Sequence, residues 1–358
     1  MKSQPSPQPR PAVESLPAYV AGRRAVSALT EPLASNESHF LPVPAVLSAI
    51  ARAAVRVNRY PDMGCLTLRE AIAAQLEVEL DQVAVGPGSV GVLSQLITAM
   101  CDPGDEVVFA WRSFEAYPIL CQVAGATAVK VPLADDERHD LDAMAAAVTD
   151  RTKVILLCSP NNPTGTGMTH DEVRYLLGKV PSSVLVVLDE AYREYATDGP
   201  DSLALLAEFN NLCLLRTFSK AYGLASLRVG YAVATAGIAE GLRRTQIPFS
   251  VSGVAEAAAV AALGAQDDVL ARAAEVVAER ERVLAAAREL GWNLPDSAAN
   301  FIWIRLEDEV REALMEAFDE AEILVRGYAG DGVRITIASR EANDRVLAVL
   351  AEQVSLAG

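Results

Sequence analysis

The stretch NLCLLRTFSKAYGLASLRVG (residues 211–230) decides how this chain is read. Its apolar start reads as a buried strand, and Thr217, Ser219 and Lys220 follow that strand at once. Arg228 comes eight residues after the lysine. A lysine beside small hydroxyl residues, straight after a buried strand, is an odd place for a positive charge, because burial penalises an unpartnered cation. Taken alone, the segment reads as a strand running into a solvated loop. The ends of the neighbouring apolar runs change that reading.

From about residue 80 to 234, short apolar runs alternate with amphipathic segments. The pattern predicts strands over 83–85, 106–110, 128–132, 154–158, 184–188, 212–215 and 229–233. Helices are predicted between several of them, over 89–100, 141–148 and 170–177. Strands separated by helical segments mark βαβ units. The expected fold class is therefore α/β, a mostly parallel central sheet with helices on both faces. Beyond Phe249 the pattern changes to a long Ala/Glu/Arg-rich helical region over 254–290, then FIWIRL, a further helix, ILVRGY and VRITIA. That order predicts a smaller α+β domain completed by the N-terminal segment. The expected division is an N-terminal arm with part of the small domain over 1–35, a large domain over 36–253 and a small C-terminal domain over 254–358.

The 358 residues include 31 Lys or Arg and 47 Asp or Glu, for a formal net charge of −16. So acidic a chain suits neither nucleic acid nor an anionic membrane, since both need a basic face. No apolar run approaches the roughly 18 residues of a membrane span. The start, MKSQPSPQPRPAVESLPAYVAG, is Pro-rich, lacks the apolar core of a signal peptide and reads as an extended arm. The expected location is the cytoplasm. Five scattered cysteines with no C-x-x-C pair fit reduced structural thiols. His39, His139 and His170 all lie in polar, loop-like contexts and read as surface residues. They offer neither multi-His metal spacing nor a Ser-His-Asp triad, and no metal is expected.

In open parallel sheets, ligands bind beyond the carboxyl ends of the strands, so the residues just after each apolar run matter most. After VAV comes GPGSVG (86–91), literally G-x-G-x-x-G. A dinucleotide site also needs an acidic residue at the end of the next strand, which ends instead in Ala110 and Trp111. What survives is a turn whose N–H groups at 88–90 can hold a phosphate. After EVVFA come Trp111, Phe114 and Tyr117 at helical spacing. Such aromatics are ordinarily core, but at a strand end one of them can lie flat on an aromatic ligand. After VILLC, SPNNPTG (159–165) presents an asparagine between two prolines. After VLVVL, Asp189 ends the run in DEAY, where its buried carboxylate needs a cation or strong donors. Tyr192 can point back into the same crevice.

One ligand suits all these residues: a flat ring with a phosphate arm, a ring nitrogen to be kept protonated, and an aldehyde. That is pyridoxal 5′-phosphate. A buried lysine near other cations loses proton affinity and becomes a nucleophilic amine. An aspartate facing the ring nitrogen keeps the ring electron-withdrawing.

The PNNPTG turn, LDEAYREY and TFSKAYGLASLRVG together resemble the fold-type I PLP-dependent aminotransferases. The likeness is greatest to the group of histidinol-phosphate and aromatic amino acid aminotransferases, especially the actinobacterial aromatic enzymes. It extends through LASNES (33–38), NRYPDMG (58–64), GPGSV, FAWRSFEAYP (109–118) and the VRI segment, covering nearly the whole chain. The resemblance implies that Lys220 joins the cofactor aldehyde and then moves a proton, while Asp189 pairs with the pyridine nitrogen. It implies that Tyr192 and Asn162 bond the phenolic oxygen and that Phe114 stacks on the ring. Gly88, Ser89, Val90, Thr217, Ser219 and Arg228 would hold the phosphate. Tyr60 would reach the phosphate of a neighbouring subunit, so a homodimer is implied. Arg334 would clamp the substrate α-carboxylate, with Asn36, Arg326 and Tyr19 lining the substrate pocket.

Two departures from the family pattern are Ser159 where Asn is commoner and Val90 where an acidic residue is frequent. FAWRSFEAYP is similar to the aromatic version, so the expected reaction moves an amino group between Phe, Tyr or Trp and a 2-oxo acid such as 2-oxoglutarate. Histidinol phosphate is the alternative substrate and would need further cations, for which Arg326 and Arg112 are the candidates. An NAD-dependent oxidoreductase, resting on GPGSVG alone, leaves Lys220 and Asp189 unexplained. A cofactor-binding regulator without catalysis would need a DNA-binding module, for which the acidic chain has no spare segment.

Overall fold

The computed structural model describes residues 6–16 and 30–357. In chain order its strands are β1 Glu31–Pro32, β2 Val83–Gly86, β3 Glu106–Trp111, β4 Thr127–Pro132, β5 Thr152–Cys158, β6 Leu185–Asp189, β7 Leu212–Thr217 and β8 Gly230–Val233. The last four are β9 Phe301–Arg305, β10 Ile323–Leu324, β11 Arg326–Tyr328 and β12 Gly332–Thr336. Among the described residues, β2 to β8 form one sheet in the order β2-β8-β7-β6-β5-β3-β4. Strands β4, β3, β5, β6 and β7 pair in parallel, whereas β8 runs antiparallel to both β7 and β2. The mostly parallel α/β sheet read from the sequence is the one observed.

Burial explains why these runs are strands. Every residue of β6 and β7 is buried, as expected of parallel strands covered on both faces. Successive side chains point to opposite faces. Val186 and Leu188 join the core on one side with Ile155 and Leu214. Leu185 and Val187 join the other, against Leu93 and Leu96 of the helix Gly88–Met100.

A separate antiparallel sheet, β11-β12-β9, packs its apolar face with Phe318, Leu284 and Val346 from the helices Asp308–Glu320, Gln266–Glu289 and Arg340–Glu352. Strand β1 lies parallel to β10, and the Leu33 carbonyl accepts the Thr336 N–H at 3.0 Å. These contacts carry residues 31–36 towards the edge of the large sheet.

Three details differ from the sequence reading. The helical region over 254–290 is two helices, Gly253–Leu263 and Gln266–Glu289; Gly264, a poor helix former, follows the first. The described part of the arm contains one helical turn, Pro11–Glu14. Gln122 holds that turn by donating to the Ala12 carbonyl and Ser15 Oγ, both at 2.7 Å. His139 is buried, not on the surface. Its polar neighbours mark a turn, but the chain folds back so that His139 bridges Leu133, and burial lowers its pKa to about 4. All five cysteines are free and buried.

Candidate active site

The strand ends identified from sequence meet at one edge of the large sheet. Cys158 lies opposite Asp189 in the β5–β6 register, and Gly230 pairs with both Thr217 and Gly86. Because β8 is reversed, its first residue sits at this edge. The loop between β7 and β8 is closed by the Phe218 N–H donating to the Val229 carbonyl at 3.1 Å. Lys220 and Arg228 therefore both stay at the strand ends. They line a cavity of about 310 Å³ together with Asp189, Tyr192, Asn162 and Arg334. A wider cleft of about 970 Å³ opens beyond the Ser159–Pro160 turn, beside Glu190 and Arg193, and contains none of these six.

One end of the cavity is built for an anion. No side chain caps the helix Gly88–Met100, so first-turn N–H groups, including those of Ser89 and Val90, are open at its start. Gly88 has φ +79°, and a Cβ there would collide with the Arg228 guanidinium. A Cβ on Gly230 would run into the Ser89 nitrogen. Glycine at both places lets the guanidinium and the helix start share one spot. Arg228 Nη1 donates to Ser219 Oγ at 3.2 Å and to the Ala225 carbonyl at 2.9 Å. The Ser219 N–H donates to Thr217 Oγ1 at 3.1 Å.

At the other end Lys220 Nζ donates to the Ser35 carbonyl at 3.0 Å and lies 5.7 Å from the centre of the Tyr192 ring. Burial first, then Arg334 and Arg228, lowers its pKa to about 7 against the opposing pull of Glu37. This lysine holds its proton weakly enough to act as an amine near neutral pH.

Asp189 is 5% exposed and accepts a hydrogen bond from the Tyr117 hydroxyl at 2.7 Å on Oδ2. Its Oδ1 is buried without a partner among the described residues. Burial raises its pKa to about 6, with Glu190 acting the same way and the Tyr117 hydroxyl and Ala191 N–H opposing. The Tyr192 hydroxyl, its pKa raised by burial, accepts from Asn36 Nδ2 at 2.9 Å. Asn36, at φ 55°, accepts from Thr336 Oγ1 on its own Oδ1 at 3.1 Å and from Asn300 Nδ2 on its carbonyl at 3.1 Å. Arg334 donates to Asn162 Oδ1, and to the Ala34 carbonyl at 2.6 Å. Its buried Nε has no partner among the described residues.

Phe114 lines the cavity and meets Tyr117 edge-on at 5.7 Å. Arg326 also lines it, and its Nη2 donates to Glu115 Oε2 at 2.8 Å. Arg112 Nε donates to Asp331 Oδ2 at 2.6 Å. Tyr60 is apart from this cavity, 84% exposed, with its ring 4.8 Å from that of Phe249. Tyr19 lies outside the described residues.

Sequence reasoning left Thr336 and Asn300 unassigned and set Tyr117 among ordinary core aromatics. Tyr117 could be placed on Asp189 only by the packing of the helix Ala116–Ala124 over the sheet. Thr336 was visible in the quoted VRIT segment, two residues beyond Arg334 on the same strand face.

The partnerless Asp189 oxygen, the uncapped helix start with its arginine and the lysine of lowered pKa match the ring nitrogen, phosphate and aldehyde of pyridoxal 5′-phosphate. Fold and site thus define a PLP-dependent enzyme of aminotransferase type. The chain belongs to the aminotransferase class I and II family, whose model matches residues 31–350. It is 50% identical over 351 residues to an aromatic amino acid aminotransferase of Streptomyces avermitilis, covering 97% of this chain and 98% of that one. A Rhodococcus jostii protein of the same name is 50% identical, covering 96% of this chain and 95% of the other. Among solved structures, the histidinol-phosphate aminotransferase of Sinorhizobium meliloti in complex with pyridoxal-5′-phosphate superposes with a TM-score of 0.89 at 31% identity, covering 97% of each chain. The protein is a transaminase, and pyridoxal phosphate is its cofactor.

Proposed function

We propose that the substrates are an aromatic L-amino acid (Phe, Tyr or Trp) and a 2-oxo acid such as 2-oxoglutarate. The carrying observation is the charge balance of the side-chain pocket. The two cations that a phosphorylated substrate would need are already engaged with acids, Arg326 with Glu115 and Arg112 with Asp331. Histidinol phosphate would bring a dianion to a place where Arg112 is held by Asp331 and Arg326 is shared with Glu115, whereas an aromatic ring adds no charge to be answered. The names of the Streptomyces and Rhodococcus relatives support the same choice.

When bound, pyridoxal phosphate supplies an aldehyde for the amino group and a ring that accepts electrons from the substrate α-carbon. The side chains do the rest. Lys220 would hold the cofactor through its amine and would serve as the base that moves a proton at the substrate α-carbon; a pKa near neutrality would let it act in both directions. Asp189 offers its partnerless oxygen to the ring nitrogen. Tyr192 and the amide nitrogen of Asn162 would bond the phenolic oxygen, and Phe114, which lines the same cavity, would face the ring. The N–H groups at Gly88, Ser89 and Val90 would hold the phosphate with Thr217, Ser219 and Arg228. Arg334 clamps the α-carboxylate through its planar fork, and Asn36 keeps Tyr192 in place.

The partner is a second copy of the chain. Tyr60 is exposed with its ring 4.8 Å from that of exposed Phe249, and Gln246, next to exposed Ile247, donates to the carbonyl of exposed Met63, so exposed apolar residues gather here. A second copy would cover the patch and receive Tyr60 at its phosphate site. A cytoplasmic location and a place in amino acid biosynthesis accompany this reading.

The direct test is kcat/KM for Phe, Tyr, Trp and histidinol phosphate with 2-oxoglutarate. Phe and Tyr are expected to lead, and histidinol phosphate turned over equally well or better refutes the assignment. The purified enzyme should be yellow, and borohydride should fix the cofactor covalently in wild type but not in Lys220→Ala. A Lys220→Ala protein that transaminates at the wild-type rate ends the proposed mechanism.

A further inference from the structure

The pocket contains an asymmetry that the proposed chemistry does not use. Arg326 and Arg334 sit directly opposite one another in the antiparallel pairing of β11 and β12. They share a sheet face with Tyr328, and their guanidinium carbons lie 5.5 and 5.6 Å from its ring centre. Like charges at opposing strand positions repel, so each guanidinium must be answered. Arg334 is answered by neutral groups, the Asn162 amide oxygen and the Ala34 carbonyl. Arg326 forms its ion pair with a carboxylate, that of Glu115.

Glu115 is not placed by local need. It is the N-cap residue of the helix Ala116–Ala124, yet its side chain makes no cap hydrogen bond. A carboxylate there would ordinarily settle on the first-turn N–H groups. Instead it crosses to a residue 211 positions away in the chain. The pair is only partly buried, with side chains 12% and 29% exposed. Glu115 can therefore swing to water without being stranded as a buried charge.

A transaminase of the proposed specificity must take two unlike substrates in turn. An aromatic amino acid brings one carboxylate, for Arg334; a dicarboxylate 2-oxo acid brings a second. We propose that Glu115 is the specificity-determining residue that lets one pocket take both. Its carboxylate occupies Arg326 while an aromatic side chain is bound, and yields to the distal carboxylate of a dicarboxylate substrate. No bond is made or broken; one ion pair replaces another. A phosphate dianion is not served by this exchange, because Arg112 stays tied to Asp331 and the released Glu115 remains close by.

The inference rests on the aromatic transaminase reading, and its test is separable from that reading. The holoenzyme is titrated calorimetrically with glutarate and with 3-phenylpropionate, which lack amino and oxo groups and do not react. In Glu115→Gln the competing carboxylate is gone. The ratio of the glutarate to the 3-phenylpropionate Kd should fall about tenfold, the scale of one partly exposed charge pair. Adding Arg326→Gln should erase that gain. An unchanged ratio in Glu115→Gln overturns the proposal, as does a gain that survives the loss of Arg326. Turnover of phenylalanine by wild type, measured alongside, reports on the function itself. A constant ratio with good phenylalanine turnover sinks only the role of Glu115; absent turnover sinks the substrate assignment.

Discussion

At the residue scale, Asp189 is in tension with its surroundings until a cation faces it. Folding raises its pKa from 3.8 to about 6, so in the cofactor-free protein the ionised form is disfavoured. Its stabilising contribution is complete below pH 3.8 and is lost as pH rises through 6. Above that the ionised carboxylate weakens the fold by about 3 kcal/mol. Cofactor-free Asp189→Asn should therefore outlast wild type in urea at pH 7, with the gap closing towards pH 4, while binding pyridoxal phosphate far less tightly. A gap of equal size at both pH values would show that the carboxylate is not the source. The sequence made Asp189 legible because an acid ending an apolar run must be answered by something. It gave no hint that the answer includes the Tyr117 hydroxyl, since that contact depends on how a helix lies across the sheet. His139 failed for the converse reason: polar neighbours cannot reveal that a turn folds inward.

At the element scale, two features set the position of the cavity. The first is the close approach of the helix start at Gly88 to the loop carrying Arg228. Gly88→Ala would add a Cβ where the guanidinium sits and would hold alanine at a positive φ. Pyridoxal phosphate affinity, measured by fluorescence titration, should fall at least tenfold, with far-UV circular dichroism unchanged. Tight binding in that variant would mean the phosphate is held elsewhere. The second is the buried pair of Arg216 with Glu190, 2.8 Å apart and 2% and 3% exposed. It fastens β7 to the segment that carries Asp189 and Tyr192. Arg216→Leu leaves the buried Glu190 with only the longer 3.9 Å pair to Arg193 and should lower the unfolding free energy by roughly 3 kcal/mol. Arg216→Leu with Glu190→Gln should recover part of that loss in the same urea titration. Strand positions were legible to within about two residues because buried parallel strands are apolar along their whole length. Their order in the sheet was not, because nothing local in β8 announces that it runs backwards.

At the scale of the whole molecule, the exposed patch around Tyr60 predicts a particle of twice 38.0 kDa by light scattering. It also predicts complementation. Tyr60→Ala and Lys220→Ala dimers should each be nearly inactive, yet mixing them through mild denaturant should restore up to about a quarter of the activity. One site of each hybrid then has its own lysine and an intact tyrosine from across the interface. No recovery on verified hybrids would place Tyr60 outside the neighbouring site. The reversed strand β8 has a consequence of its own. Lys220 and Arg228 lie on one connection between neighbouring antiparallel strands, so the spacing between the two points proposed to capture the cofactor is a local property of the chain. Asp189 belongs to the next strand, and its height relative to Lys220 depends on the β6–β7 register. With the proposed roles, capture and steering are separable: a molecule whose sheet has slipped or loosened would still hold its cofactor, but with the ring turned away from the acid proposed to direct its chemistry.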